Sequence, residues 1–167
     1  MPTDFMNLFS ILTDSGVRFV LVGGLACVMH GVDRTTADVD VMFDLAADPT
    51  RAAMEALTKS GFKPMAPVNP SHLADPAIRG RWQSERGMQV FSLWDSENRR
   101  PTLDILLHSI VPFDELWRDA VAMTFRGVTV KVASIAHLIS LKEYAARPQD
   151  LADIARLRQI ADALRQP

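Results

Sequence analysis

One segment of this chain places two acidic residues inside an alternating apolar pattern. From Ala37 to Phe43 every second residue is apolar, so Asp38 and Asp40 share the opposite face of a predicted strand. Upstream, the apolar run Val17–Val22 predicts a buried strand that ends at the pair Gly23-Gly24. A fold that contains this segment must therefore hold two carboxylates on one sheet face, downstream of a tight turn.

A third acid, Asp104, occupies a second alternating segment, Leu103–Leu106. Alternate residues of a strand lie roughly 6.5–7 Å apart, so Asp38 and Asp40 can reach one cation. If the two strands are neighbours in the sheet, the carboxylate of Asp104 lies close to those of Asp38 and Asp40. Three such acids would repel one another without a cation, and Mg²⁺ prefers carboxylate, water and phosphate oxygens. The pattern therefore predicts a Mg²⁺ site formed by Asp38, Asp40 and Asp104.

The glycine pair offers a second element of the same site. Gly23 and Gly24 end a strand and open a predicted helix, which exposes backbone N–H groups to phosphate oxygens. A plain strand-to-helix turn explains the two glycines equally well when they are considered alone. Together with the three acids, they favour a site for a nucleoside triphosphate.

The whole chain, residues 1–167, is predicted to form a single domain because 167 residues with 48% apolar composition suit one hydrophobic core. The core spans about 17–132, and a C-terminal helical part spans about 134–165. We expect an α/β or α+β fold whose mixed sheet is flanked by helices. Segment 64–87 is predicted to be a loop with a short helix. Helices are predicted at 4–15, 25–31, 49–60, 113–120, 134–146 and 148–164, and strands at 17–22, 37–43, 62–65, 88–94, 102–108, 123–125 and 128–132.

Composition limits the partners and the compartment. A net charge of −2 gives no global signature of nucleic-acid binding. The single cysteine, Cys27, and the lack of a leader or a long apolar run predict a cytoplasmic protein without a membrane partner. A local cluster, Arg79, Arg81, Trp82 and Arg86, suits either an RNA-stacking patch or a solvated surface, and the solvated surface is favoured.

The motifs resemble those of the DNA polymerase β-like nucleotidyltransferase superfamily, in which Gly-Gly or Gly-Ser precedes Asp-x-Asp and a distant third acid. Within it, the stretches Val22–Ala26, His30-Gly31 and Arg34–Asp40 are similar to the AbiEii/AbiGii-type toxin branch and related small bacterial nucleotidyltransferases. Many members carry serine at the second glycine position. Here Gly24 supplies no hydroxyl, so backbone groups must bind the phosphates.

The resemblance implies an enzyme with Asp38 and Asp40 as ligands of two Mg²⁺ ions and Asp104 as the third carboxylate, beside the second metal and the acceptor hydroxyl. It would move a nucleoside monophosphate from an NTP to a hydroxyl of RNA, such as tRNA, or of protein. A toxin of this kind would have a cognate antitoxin protein. The alternatives are transfer to a small molecule of the aminoglycoside type, and a non-catalytic nucleotide- or partner-binding module.

Charged residues near the C-terminus also enter the prediction. Helical periodicity places Lys142 and Asp150 within apolar stripes, where an unpaired charge is costly. A snorkelling lysine and an aspartate favoured by the helix dipole are the structural explanations. The functional one is that Lys142 binds the triphosphate and Asp150 orients Lys142 or Arg34. Arg34 itself suits either phosphate binding or an ordinary loop. In the toxin branch, a similar lysine lines the site with residues matching Arg147, Asp150 and Asp153.

Overall fold

The structure is a computed structural model that describes residues 3–166, with side chains from Phe5 onward. The described part of the chain forms one mixed sheet. Its strands are β1 (Phe19–Val22), β2 (Val39–Phe43), β3 (Phe62–Pro64), β4 (Val90–Asp95), β5 (Leu103–Leu106), β6 (Val121–Phe125) and β7 (Val128–Val132). They lie in the order β3-β4-β5-β2-β1-β7-β6. Strands β2 and β5 are parallel, as are β1 and β7, and the other neighbours are antiparallel. The predicted mixed α/β architecture is therefore confirmed.

Helices cover the sheet in two groups. The helices are α1 (Thr3–Asp14), α2 (Gly23–Met29), α3 (Ala47–Lys59), α4 (Pro76–Arg86), α5 (Phe113–Asp119), α6 (Ile135–Ala145) and α7 (Pro148–Arg165), with a 3₁₀ helix at Pro70–Ala74. Helices α1 and α3 contact each other, whereas α2 contacts β1 and β2, α6 contacts α2, and α7 contacts α6. Within residues 3–166 no helix has the length and apolarity that a membrane span requires.

Side-chain alternation divides the central strands into an apolar face and a polar one. Val39 and Val41 of β2 and Leu103 and Ile105 of β5 have no solvent exposure. Because successive residues point to opposite faces, the acids between them lie on the other face. Burial of the apolar face therefore fixes the direction of the acidic side chains.

Segment 64–87 is more regular than the loop with a short helix that the sequence predicts. It contains the 3₁₀ helix and the eleven-residue helix α4. Asp75 accepts hydrogen bonds from two backbone N–H groups of the first turn, Pro76 occupies the first position, and Gly87 (φ +62°) ends the helix. The predicted short helix is therefore present, and its bounds were not predictable from periodicity because end signals and one buried residue, Trp82, define it.

The arginine cluster of this segment lacks an accessible aromatic ring. Trp82 is only 5% exposed and stacks on Phe91, with 5.4 Å between the ring centroids. Arg81 and Arg86 are exposed. Trp82 therefore belongs to the core, and the RNA-stacking interpretation of the cluster is wrong.

A clasp around Asp95 holds the β4–β5 connection against the neighbouring elements. Arg100 donates to both Asp95 carboxylate oxygens, at 3.0 and 3.2 Å, and to the carbonyl of Ser60 at 2.5 Å. Its guanidinium also lies 4.3 Å from the ring centroid of Phe62. The hydrogen bonds from Arg100 hold the pKa of Asp95 below its ordinary value. This clasp fixes the start of β5, which carries Asp104.

Candidate active site

The predicted acids meet in one cross-strand row. In the parallel pair of β2 and β5, Asp40 lies opposite Asp104, and in the antiparallel pair of β4 and β5, Ser92 lies opposite Asp104. Val22, the last residue of β1, lies opposite Asp40. Neighbouring strands are roughly 4.8 Å apart, so both carboxylates and the Ser92 hydroxyl occupy adjacent positions of one sheet face.

Asp38 precedes β2 by one residue and is exposed. It borders the same cavity as the row, a space of about 430 Å³ between the polar sheet face and helices α6 and α7. The structure brings all the predicted site residues together around this cavity. They are Gly23, Gly24, Arg34, Asp38, Asp40, Asp104, Lys142 and Asp150.

Unbalanced negative charge is concentrated at the acidic row. Burial, and then the nearby Asp104 and Asp38, raise the pKa of Asp40 to about 6, although the backbone N–H of Gly24 opposes the shift. Burial likewise raises the pKa of Asp104, while the Ser92 hydroxyl opposes this shift. The Oδ1 atom of Asp104 is buried and has no hydrogen-bond partner among the described residues. A cation at this place would remove the repulsion and satisfy the free oxygen.

The acidic row by itself is an incomplete metal site. In the part of the chain that the structure describes, no group of three or more His, Cys, Asp or Glu side chains is arranged to hold a metal ion. Mg²⁺ is usually bound through one or two carboxylates, with water and substrate phosphates completing its coordination. The buried, unpartnered oxygen of Asp104 and the raised pKa of Asp40 fit an ion that is held jointly with a nucleotide.

The first glycine of the pair is required by the acid that it faces. Gly23 has φ +67°, and a Cβ atom there would lie 2.7 Å from Cγ of Asp40. At Gly24 a Cβ atom would lie 3.0 Å from Oγ1 of Thr36 and 3.2 Å from the guanidinium of Arg34. Helix α2 begins at Gly23, two residues before its predicted start. Asp40 and Arg34 therefore occupy the space that side chains at these two positions would need.

We expect Gly23→Ala to weaken the site more than its backbone strain alone explains. The new methyl group displaces the Asp40 carboxylate, so the affinity for Mn²⁺ measured with a non-hydrolysable NTP should fall about tenfold or more. Gly87→Ala is the matched control, because Gly87 has φ +62° and a Cβ atom there would meet no described atom within 4 Å. Equal effects of the two substitutions on Mn²⁺ affinity would contradict the role of the Gly23–Asp40 contact.

Opposite the acids, a chain of ion pairs links α6 and α7 to the loop before β2. Nζ of Lys142 donates to Asp150 at 3.2 Å and to Asp153 at 2.7 Å. Arg34 binds Asp153 at 2.5 Å, and Arg147 binds Asp150 at 2.8 Å. Burial lowers the pKa of Lys142, but the hydrogen bonds to the two aspartates outweigh burial and raise it. Three cations thus share two buried acids, which leaves this wall positive.

Ser92 and several residues of the cavity were not predicted from the sequence. Ser92 lies on a correctly predicted strand, but only the hairpin register shows that it faces Asp104. His108, Ile110 and Tyr144 line the cavity. Tyr144 is 66% exposed, so the apolar periodicity of α6 gives no reason to single it out. Its position two residues after the inward Lys142 was the signal available in the sequence.

Comparisons with known proteins give the identity of the fold. No family model and no curated protein sequence matches the chain. The lincosamide antibiotic adenylyltransferase LnuA, solved with lincomycin, is 16% identical with a TM-score of 0.65, and the match covers 96% of this chain and 98% of that one. ANT(2")-Ia, solved with adenylyl-2"-tobramycin, is 13% identical with a TM-score of 0.57, covering 96% and 87% of the two chains.

A third similar structure is an antigenic nucleotidyltransferase-like protein from Paracoccidioides brasiliensis. It is 16% identical with a TM-score of 0.53, and the match covers 90% of this chain and 72% of that one. The similarity extends over 90–96% of this chain in the three cases. The chain therefore has the mixed-sheet fold of solved nucleotidyltransferases.

Proposed function

We propose that this protein is a Mg²⁺-dependent nucleotidyltransferase that moves a nucleoside monophosphate from an NTP to a hydroxyl group. The observation that carries the proposal is the shared cavity with Asp40 and Asp104 on one side and the cations around Lys142 on the other. A triphosphate with its metal ions is the kind of ligand that matches both walls. The nucleotidyltransferase fold of the chain supports the same function.

In this mechanism the hydroxyl oxygen of the acceptor attacks the α-phosphorus of the NTP. A new O–P bond forms, the bond from the α-phosphorus to the oxygen that bridges to the β-phosphate breaks, and pyrophosphate leaves. Asp104 accepts the hydroxyl proton. The backbone N–H of Gly23 and that of Gly24, which is shared with Asp40, hold the leaving pyrophosphate together with Arg34 and Lys142.

In this proposal two Mg²⁺ ions would be bound by the carboxylates of Asp38, Asp40 and Asp104. Bound there, Mg²⁺ supplies charge neutralisation on the phosphate oxygens during the displacement. Asp150 and Asp153 act indirectly, because their carboxylates fix the positions of Lys142 and Arg34. Binding of the triphosphate in this arrangement requires Arg34 and Lys142 to share their N–H groups between these aspartates and the phosphates.

Two classes of acceptor compete within this proposal. Transfer to tRNA or protein, with a cognate antitoxin, follows from the resemblance to the AbiEii/AbiGii-type branch and implies a cytoplasmic protein. Transfer to a small molecule is supported by the two antibiotic-modifying enzymes of the same fold, one of which is almost fully spanned by this chain. A non-catalytic binding module explains neither the retained acidic row nor the unpartnered oxygen of Asp104.

The test uses purified protein, Mg²⁺ and NTPs labelled at the α-phosphate, offered total RNA, soluble protein, or the compounds lincomycin and tobramycin. We expect label on one acceptor class, and none when Mg²⁺ is removed with EDTA. Growth arrest on induced expression, relieved by the product of the neighbouring gene, would favour the toxin role. No labelled product, together with no NTP binding by calorimetry, would refute nucleotidyl transfer.

A further inference from the structure

The cavity has an uncharged half that the triphosphate and its metal ions do not require. Arg34, Lys142 and Arg147 supply the cationic lining of the cavity, whereas eight described lining residues beyond Asp104 are apolar, aromatic or hydroxyl-bearing. They are Leu106, His108, Ser109, Ile110, Leu138, Leu141, Tyr144 and Ala145. These residues come from the end of β5, from the segment after it, and from α6.

The geometry of the reaction indicates that the acceptor binds in this half of the cavity. In an in-line displacement the attacking and leaving oxygens lie on opposite sides of the phosphorus. The groups for the leaving pyrophosphate, Gly23–Gly24 and the cations, lie at the end of β1, whereas Asp104 lies two strands further along the sheet. A hydroxyl beside Asp104 therefore has the rest of its molecule over Leu106 and His108, which continue the chain from Asp104.

An aromatic pair stands at the mouth of this half. The rings of His108 and Tyr144 are 6.4 Å apart between centroids and inclined by 54°, so the two rings are tilted and not stacked. Tyr144 is 66% exposed and Ile110 is 43% exposed, unlike the buried apolar residues of the core. Exposed aromatic and apolar side chains that line a cavity are typical of ligand contacts.

We propose that Tyr144, His108 and Ile110 form the acceptor subsite, and that the acceptor is a small molecule with an uncharged ring beside its reactive hydroxyl. This inference rests on the proposed nucleotidyl transfer and names the acceptor class for the same site. An RNA acceptor needs basic side chains for its phosphates, and the arginines and lysine that line the cavity, Arg34, Lys142 and Arg147, are all bound by Asp150 or Asp153.

The test combines the labelled-NTP assay with substitutions of Tyr144, which is the only tyrosine of the chain. We expect Tyr144→Ala to raise the KM for lincomycin, used as the ring-bearing probe, about tenfold, with the KM for the NTP changed less than about twofold. Tyr144→Phe should keep the acceptor KM near that of the unsubstituted protein. Met65→Ala is the matched control, because Met65 is 59% exposed and lies outside the cavity.

Three other outcomes of these experiments would contradict the inference, and each can be told apart from the others. Label on RNA or protein, with none on lincomycin, refutes the small-molecule class but leaves nucleotidyl transfer standing. Weaker binding of NTP to Tyr144→Ala, with unchanged binding of inorganic tripolyphosphate, assigns the ring to the nucleobase and refutes the acceptor subsite. Absence of both NTP binding and transfer in the unsubstituted protein refutes the proposed function itself.

Discussion

Asp40→Asn is expected to abolish nucleotidyl transfer and to stabilise the metal-free protein. Activity should fall at least about a hundredfold, because a metal ion contributes several kcal/mol of charge stabilisation in the transition state. The amide keeps the shape of Asp40 but removes the charge that faces Asp104 and Asp38. Transfer of labelled nucleotide and unfolding by urea, both measured on the same protein samples, check the two halves of this prediction.

The stability gain has a definite dependence on pH. The pKa of Asp40 is raised in the folded protein to about 6, so keeping this acid ionised costs folding free energy once the pH exceeds its ordinary pKa. The gain from Asp40→Asn should reach roughly 2–3 kcal/mol at pH 7.5 and shrink to about 1 kcal/mol near pH 4.5. A gain that does not change with pH would contradict this explanation.

Asp38→Asn is the matched control for Asp40→Asn. Asp38 borders the same cavity but is exposed, so its substitution should reduce transfer without a comparable gain in stability. Mg²⁺ with a non-hydrolysable NTP should stabilise the unsubstituted protein and have little effect on Asp40→Asn, because a ligand stabilises only the state that binds it. Equal stabilisation of both proteins would contradict a metal site at Asp40.

The placement of the acids on one sheet face follows from the sequence, but their mutual distance does not. Strict alternation around Asp40 and Asp104 is a local property, and burial of Val39 and Ile105 enforces it. The parallel pairing of β2 with β5 joins residues about sixty positions apart, and nothing in the local pattern specifies it. Ser92 was not predicted for the same reason, since only the register of β4 and β5 places it opposite Asp104.

The cation wall, which consists of Arg34, Lys142 and Arg147, likewise follows from the sequence only in part. An inward lysine at 142 was predictable from helical periodicity, as was the need for an anion near it. That Asp150 and Asp153 would both bind Lys142, and that Arg34 would reach Asp153, depends on how α7 packs on α6. The short helix within 64–87 was predicted without bounds although Asp75 and Gly87 mark the ends of α4, because α4 buries mainly Trp82 and so has no apolar stripe.

Lys142→Met is expected to destabilise the protein by about 3 kcal/mol, since removal of one partner leaves buried charge uncompensated. Asp150 is 1% exposed and Asp153 is not exposed, so neither carboxylate can be solvated without unfolding of the site. Arg34 still binds one oxygen of Asp153 and Arg147 both oxygens of Asp150, which keeps the loss at the lower end of the usual range. Urea denaturation gives the free energy of unfolding.

The control compares a buried and an exposed ion pair between the same two helices. Arg158 of α7 binds Glu143 of α6 at 2.7 Å, but both side chains are more than half exposed. Arg158→Gln should therefore cost less than about 1 kcal/mol. The pKa of Lys142 is raised and that of Asp150 is lowered, so both are charged in the unsubstituted protein, whereas in Lys142→Met burial without the lysine raises the pKa of the carboxylates. The loss should therefore be constant above about pH 7 and become smaller toward about pH 5, where a protonated acid needs no counter-charge. Opposite signs of the effects of Lys142→Met and Asp40→Asn at pH 7.5 would separate the paired charges of the cation wall from the unpaired charge of the acidic row.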